Sequence, residues 1–458
     1  MGKSWISKLQ NTNEYKICLS RFLDFGFKNR AAGFIKMGDV MGSDLISDLP
    51  QNIIESILIQ LPIRDAVRTS ILSRKWRYKW SSITQLMFDE KCVPDCYDRE
   101  VLQESVVKFI STLLFLHQGP VHKFQITHLS MQSCPEIDQW ILFLSRNDIK
   151  ELILELGGGE FYRMPSCLFS CQKLTLLELT CCELDLPHNF KGFSYLKSVT
   201  FLRVFISPEA IESLISSCPL LENLSLRHCD CLSLTIRAPS LKYLCLQGEF
   251  KEIFLVDMPL LVEIVVAMCM FDNVTEHIEQ RTSCNFVKFL GGVPNLERLD
   301  GLVDFTKYLS IGNDLGNLSM IYNNLETIKM HLVSFEDMKE IRVVLRLITS
   351  SPNLKELHIS GSSIIPTSIH TADLEFWEKE CPSDYILGQL KVVKLTEMSG
   401  WPHEIEFIKY LLGCSPVLET MSIIPCIYNM KYHLEKLVEL MKFRRASTIA
   451  EIYFSRPE

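Results

Sequence analysis

The residue types that could do chemistry unaided are spread through this chain at spacings no single reaction uses. His228, Cys229 and Cys231 bring an imidazole and two thiols close together, as do the adjacent thiols of Cys181 and Cys182. Those are zinc ligands by type, but the paired C-x₂-C spacing of a structural zinc site is absent. His117, His122 and His128 are too loosely spaced to form a ligand set. Gly157-Gly158-Gly159 follows an apparent strand, yet the Gly-x-Gly-x-x-Gly spacing fails and Pro165 soon interrupts, so a turn between repeats is the better reading. There is no Gly-x-Ser-x-Gly, no Gly-x₄-Gly-Lys-Ser/Thr and no His-Glu-x-x-His, and no carboxylate pair stands out. The expectation is a chain with no catalytic residue, no metal and no cofactor.

One dense stretch remains. SILSRKWRYKW, Ser70 to Trp80, interleaves Arg74, Lys75, Arg77 and Lys79 with Trp76, Tyr78 and Trp80. Cations between aromatics suit a base-stacking surface; a basic run also suits nuclear import. The flanks favour a different reading. Pro50 belongs in the first turn of a helix, where its missing N–H costs nothing, and Ile53, Ile54, Ile57, Leu58 and Leu61 follow at helical spacing. Pro62 ends that helix or starts the next, which carries Val67 and Ile71. Ser73 is placed to N-cap a third helix with Trp76 and Trp80 one turn apart. The tryptophans then anchor that helix, and the cations form its wet face.

Three short helices cannot hide so many large apolar side chains, and a surplus apolar face marks a partner site. Leu49-Pro50, the Ile/Leu-rich helix, Leu61-Pro62, Val67, Ser70, Leu72-Ser73-Arg74, Trp76 and Trp80 together resemble a plant-type F-box. In that family the module docks on the Skp1 adaptor of a cullin–RING ubiquitin ligase. The resemblance implies an adaptor-binding set of Leu49, Pro50, Ile53, Ile57, Leu58, Leu61, Pro62, Leu72 and Trp76. It also implies that Val67, Ile71 and Leu72 pack between the helices and that Trp76 and Trp80 close the third helix onto them.

Beyond residue 120 a theme recurs: apolar, two others, apolar, one other, apolar. It starts at Val121, Ile149, Leu174, Leu196, Leu221, Leu241, Leu261, Leu296, Leu325, Leu354, Leu390 and Leu418, failing only in its last position at Gly301. Most intervals lie near the leucine-rich-repeat period of about 20–29 residues. Its alternating end is a short strand, and stacked units make a parallel sheet along a concave face. Proline precedes six of the strands, as in Ser-Cys-Pro-Leu-Leu (Ser217–Leu221) and Ser-Pro-Asn-Leu (Ser351–Leu354), where it stops the returning segment. Cys182 and Cys229, each three residues past a strand's last leucine, fill the small buried site under the turn, and Cys218 and Cys414 precede repeat prolines. The variable strand positions Glu178, Thr200, Ser225, Cys245 and Lys329 are the candidate substrate-binding residues on the concave face. Val101 to Leu116 reads as an amphipathic helix capping the first strand of the stack.

WEKECP (Trp377–Pro382), LKVVKLTEMSGWPHEIEFIKYLLGCSPVLETMSI and RRAS (Arg444–Ser447) resemble the FBD domain that plant F-box proteins with leucine-rich repeats carry at the C-terminus. Residues 404–412 read as a helix with Ile405, Ile408 and Leu412 inward. The expected domains are an N-terminal extension (1–40), an F-box (44–84), leucine-rich repeats with their cap helix (98–370) and an FBD domain (371–456). The fold class is α/β: a three-helix F-box, an irregular leucine-rich-repeat solenoid with a curved parallel sheet, and an α/β FBD cap. The extension has an acid-poor start with two arginines, and Met37 or Met41 is an alternative start.

Net charge is −8 and 47% of residues are hydrophobic, which suits a large core and argues against the whole chain being a polyanion binder. Neither a secretory h-region nor an apolar run long enough to span a membrane is present, so the 17 cysteines are expected as reduced thiols in the cytoplasm or nucleus. The family implies the substrate-recognition subunit of an SCF ubiquitin ligase, with a Skp1-like adaptor and a protein substrate as partners. Neither a membrane nor nucleic acid is an expected partner. The alternative is an interaction scaffold that holds the adaptor without substrate turnover. A small-molecule co-ligand in the solenoid is left open by analogy with hormone receptors.

Overall fold

The computed structural model describes residues 49–92, 99–129, 131–132, 134–157, 159–229, 231–269, 285–312, 321–362, 374–380, 385–426 and 442–454. The extension 1–40 lies outside them. Two compact units divide the chain after Glu183.

In the first unit, α1 (Gln51–Ile59) and α2 (Ile63–Arg68) each begin on a proline whose carbonyl takes the first helical N–H groups: Pro50 from Ile53 and Ile54, Pro62 from Asp65 and Ala66. Both prolines stand just outside their helices, in extended backbone. Two short 3₁₀ turns follow, Thr69–Ile71 and Lys79–Ser82. The expected third helix does not form. Residues 73–81 instead close i→i+3 turns, Ser73 to Trp76, Trp76 to Lys79 and Tyr78 to Ser81. Both indoles are nevertheless buried, with Ile54, Leu58, Ile63, Val67 and Ile83. Aromatic residues gain little from helical backbone, and seating two indoles in one small core decides the path instead.

The chain then enters a parallel sheet: β1 (Gln85–Phe88), β2 (Lys123–Ile126), β3 (Glu151–Glu155) and β5 (Leu176–Thr180), adjacent in that order. β4 (Tyr162–Arg163) and β6 (Cys182–Glu183) pair separately. The anticipated amphipathic helix is α3 (Arg99–Leu116). It packs on α4 (Glu136–Ser145), where Trp140 Nε1 donates to Ser111 at 3.0 Å, and its Phe109 ring meets Phe88 edge-on. Glu55 of α1 accepts from Thr84 N at 3.0 Å and Thr84 Oγ1 at 2.7 Å, tying the helices to the start of β1.

The second unit continues the theme with β7 (Ser198–Leu202), β8 (Asn223–Arg227), β10 (Tyr243–Gly248), β12 (Glu263–Met268), β13 (Arg298–Gly301), β14 (Thr327–Val333), β15 (Glu356–Gly361), β16 (Val392–Met398), β17 (Thr420–Pro425) and β18 (Glu451–Phe454). Each pairs in parallel with the next. β9 (Cys231–Ile236) and β11 (Phe250–Leu255) form a second, two-stranded sheet. Helices return between strands: α5 (Pro208–Ser216), α6 (Asn285–Leu290), α7 (Phe305–Leu309), α8 (Met338–Thr349), α9 (Leu374–Glu380) and α10 (Pro402–Cys414). All twelve anticipated strands are present, and the leading apolar residue of each theme is buried.

The repeat's turn has a specific chemistry. In Cys218-Pro-Leu-Leu221, Ala238-Pro-Ser-Leu241 and Ser351-Pro-Asn-Leu354 the first carbonyl accepts the N–H three residues on. Proline thus occupies the second position of a tight turn, for which its fixed φ is suited. Asn295, Asn324 and Asn353 follow these prolines or their equivalents, and each side chain reaches the neighbouring turn: Asn295 to Pro259 O, Asn324 to Asn295 Oδ1, Asn353 to Asn323 O. Gly301, the one failure of the theme, is forced. A Cβ there would lie 2.5 Å from Phe305 and 2.6 Å from the Met330 sulfur, which fill the space.

The cysteines behave as small apolar groups. Cys182 and Cys229 are fully buried, their thiols directed at Thr180 O and Arg227 O. Burial pushes Cys182 up to about 12 and Cys414 up to about 11, which leaves both as unreactive thiols. His117 is buried with Nε2 2.8 Å from Ile83 O, a structural tie, and burial holds its pKa down.

Toward the C-terminus, α10 buries His403, Glu404, Phe407, Ile408, Leu411 and Leu412, while Ile405, expected inward, is only half-buried. The helix is rotated because Glu404 turns in to cap its own start. Its carboxylate accepts from Trp401 N at 3.0 Å and from Gly400 N. Trp377 donates to His403 Nδ1, and Glu380 takes Arg342 and Arg346 of α8. Ser447 of the RRAS motif is buried and donates to Leu418 O at 2.7 Å, while Ala446 N donates to Leu412 O, anchoring the run into β18.

Candidate functional site

Two surfaces emerge. The first belongs to α1 and α2. Two faces of α1 differ: Ile54 and Leu58, one turn apart, are 0% and 1% exposed, whereas Ile53 and Ile57, on the adjoining face, are each 42% exposed. Leu61 is exposed beyond the helix end, as are Ile71 and Leu72 after the first 3₁₀ turn, Leu72 at 67%. Five large aliphatic side chains thus face water from a module of about forty residues. Full burial of such a side chain is worth roughly 1.5–3 kcal/mol, and covering the part of each still in water would gain about half of that. Leu49 and Pro62 are half-buried and Pro50 is exposed.

This geometry sorts the implied adaptor set. Leu58 and Trp76 are core residues of the module itself, because i+4 spacing from Ile54 carries Leu58 inward and the tight turns carry Trp76 in. Ile71, expected between helices, stands outside with Leu72, because the 3₁₀ turn leaves Ser70 as the buried residue. The basic run is not the wet face of a helix: Lys79 Nζ bonds Gln51 Oε1 at 2.9 Å and so braces α1, while Arg74 and Lys75 are exposed.

The second surface is the open face of the sheet. The candidate substrate residues point there, but unequally. Thr200 (β7), Ser225 (β8), Cys245 (β10) and Lys329 (β14) occupy one register row of the second unit, and Glu178 (β5) the equivalent row of the first. Ser225 and Cys245 are buried. Arg227 Nε folds back onto Ser225 Oγ at 3.1 Å, so a neighbour on the same face takes up that hydroxyl. Glu178, Thr200 and Lys329 remain half-buried, within reach of solvent.

The residues that open the strands form a ladder of opposite charges. Lys242–Glu222 (2.9 Å), Lys355–Glu326 (2.6 Å) and Lys391–Glu419 (2.9 Å) pair across neighbouring strands of the second unit, and Lys123–Glu151 (3.1 Å) does so in the first. Sequence reasoning missed this ladder, although the Leu-Lys and Leu-Glu dipeptides that begin the themes announce it. It also missed β1, whose Ile83-x-x-Leu86-x-Phe88 matches the theme, and Glu55, which no local pattern marks.

Among the described residues no group of three or more His, Cys, Asp and Glu could hold a metal ion. No described helix is long and apolar enough to cross a membrane.

Comparison with known proteins matches the same segments. The F-box domain model matches residues 46–84, the model described as "FBD-associated F-box protein At5g56370, LRR repeats" matches 137–359, and the FBD model matches 378–423. The Arabidopsis thaliana F-box/FBD/LRR-repeat protein At1g13570 is 54% identical over 411 residues, covering 90% of this chain and 98% of that protein. The Arabidopsis F-box/FBD/LRR-repeat proteins At3g26920 and At5g56420 are 28% and 25% identical, each match covering 90% of this chain and 96% and 99% of the relative. A paired set of proline-started helices with an outward aliphatic face, a repeat-built parallel sheet and a Trp–His-braced C-terminal segment have one common source: the chain belongs to the F-box/FBD/LRR-repeat protein family.

Proposed function

We propose that this chain is the substrate-recognition subunit of an SCF-type ubiquitin ligase. In this reading Ile53, Ile57, Leu61, Ile71 and Leu72, flanked by Leu49, Pro50 and Pro62, dock on a Skp1-like adaptor, and the open sheet face holds the protein to be ubiquitinated. The observation that carries it is the aliphatic set left in water on α1 and the following turn, within the segment the F-box model matches. The chain's own contribution is proximity. It raises the effective concentration of substrate beside the ubiquitin carrier, while bond-making groups belong to partner proteins.

The test is co-expression with Skp1-like adaptors and pull-down of the full chain, beside the double variant Ile57→Asp with Leu72→Asp. Both side chains are exposed, so the variant keeps its fold while two charges enter the interface. The expected result is a stable complex with the parent chain and none with the variant. No complex with any of several adaptors overturns the proposal. A complex that ubiquitinates nothing it captures supports the scaffold instead.

A further inference from the structure

In one row of the open face the charge pattern changes. The middle residues of β13 to β16 are Asp300, Lys329, His358 and Lys394, in register on adjacent strands. The strand-opening lysines of this same sheet, Lys242, Lys355 and Lys391, each pair with a glutamate of a neighbouring strand. Lys329 and Lys394 do not. Among the described residues neither has a carboxylate within ion-pair distance. Asp300, the neighbour of Lys329, lies instead 3.4 Å from His331 Nε2. Glu356, two residues before His358 on β15, is the other nearby acid. His358 feels the arrangement: burial first, then Lys329, lower its pKa, with Lys394 and His331 adding and Glu356 opposing. In the following row Ser360 and Thr396, in register with each other, are half-buried hydroxyls.

We infer that Lys329, His358 and Lys394 form the docking row for an acidic segment of a protein partner, an extended acidic-x-acidic stretch laid across the strands. Neighbouring strands are about 4.8 Å apart, so the two lysines stand about 10 Å apart at the backbone. Alternate side chains of an extended peptide are about 7 Å apart. One carboxylate then lies on the His358 side of Lys329 and the next on the His358 side of Lys394, a separation the flexible lysine side chains span. The same row on β7 to β10 offers no equivalent, because Thr200, Ser225 and Cys245 carry no charge and the last two are buried. This inference rests on the substrate-receptor reading and names the chemistry of the substrate.

The experiment uses the full chain and a fluorescent ten-residue peptide of alternating Glu and Ser, with its Gln/Ser counterpart as the uncharged probe. Anisotropy is expected to show binding of the Glu peptide at least tenfold tighter than the Gln peptide, weakening as salt is raised from about 50 to about 500 mM, over which the screening length falls from roughly 14 Å to roughly 4 Å. Lys329→Gln with Lys394→Gln is expected to lose tenfold or more for the Glu peptide, and each single change about threefold. Lys355→Gln with Lys391→Gln, which removes two lysines already paired with glutamates, is expected to change binding less than twofold. Equal affinity for the two peptides, an unaffected Lys329/Lys394 variant, or an equal loss in the paired-lysine control overturns the inference. The adaptor pull-down on the same proteins reads the receptor assignment separately: a retained adaptor complex without peptide discrimination sinks the row alone.

Discussion

Burial decides what each residue of the aliphatic module can do. Leu58 and Ile57 are neighbours of similar size in one helix, yet one is in the core and the other in water. Leu58→Ala is therefore expected to cost about 2–5 kcal/mol of stability through the cavity it leaves. Ile57→Ala is expected to change stability by less than about 1 kcal/mol while weakening adaptor binding; denaturation midpoints and pull-downs on the two variants separate the roles. Two buried carboxyls make a second case. Glu340 accepts Thr306 Oγ1 at 2.6 Å and Ser334 N, and Glu404 caps α10, but among the described residues neither pairs with a cation, and burial pushes both up to about 7. The unfolded carboxyls titrate near 4.5. Between those values the folded state holds protons the unfolded state has released, so stability falls as pH rises from about 4.5 to about 7, and the loss is complete above that. Glu340→Gln is expected to match the parent near pH 4.5 and to exceed it at pH 8, by on the order of 3 kcal/mol. A variant no more stable than the parent at pH 8 would show that the carboxylate is ionised in the fold at little cost.

At the scale of elements, the repeat was legible because each strand is announced locally. A leucine turns inward, alternation follows, and a proline marks the turn before many of them. What escaped notice had no such local sign or was decided by packing. The third helix fails because two indoles must share one core, and Ile405 is displaced because the carboxylate of Glu404 takes the inward position. The open face was legible in position but not in exposure. Alternation placed Ser225 and Cys245 outward, yet both are buried, Ser225 with Arg227 Nε on its hydroxyl. Gly301 shows the same logic in reverse, since its place in the theme looks like an error and is a steric requirement. Gly301→Val is expected to destabilise the second unit by about 1–3 kcal/mol or more, because Phe305 and Met330 have to leave their positions on α7 and β14. Calorimetry reads the loss. A neutral outcome would mean that those two side chains repack without cost.

At the scale of the whole second unit, every strand of the main sheet is paired only with the strands immediately before and after it, so stability is passed from neighbour to neighbour as in other repeat stacks. Among the described residues β18 is the last strand, paired with β17 alone. It is also the least buried, with Tyr453 and Phe454 exposed. What holds it is the run before it: Ser447 donates to Leu418 O and accepts from Ile449 N, and Ala446 N donates to Leu412 O. Amide exchange is therefore expected to be fastest in β18 and slowest in β14 to β16, whose strands have neighbours on both sides. Ser447→Ala removes a buried hydrogen bond worth about 1 kcal/mol, which should speed exchange in β18 several-fold. The amides of β15 should not change, because two strands separate them from the lost contact and coupling in a stack decays with each interface. If Ser447→Ala accelerates exchange equally in β15 and β18, the sheet opens as one cooperative body rather than from its end. The docking row on β14 to β16 would then lose order whenever the C-terminal strand does.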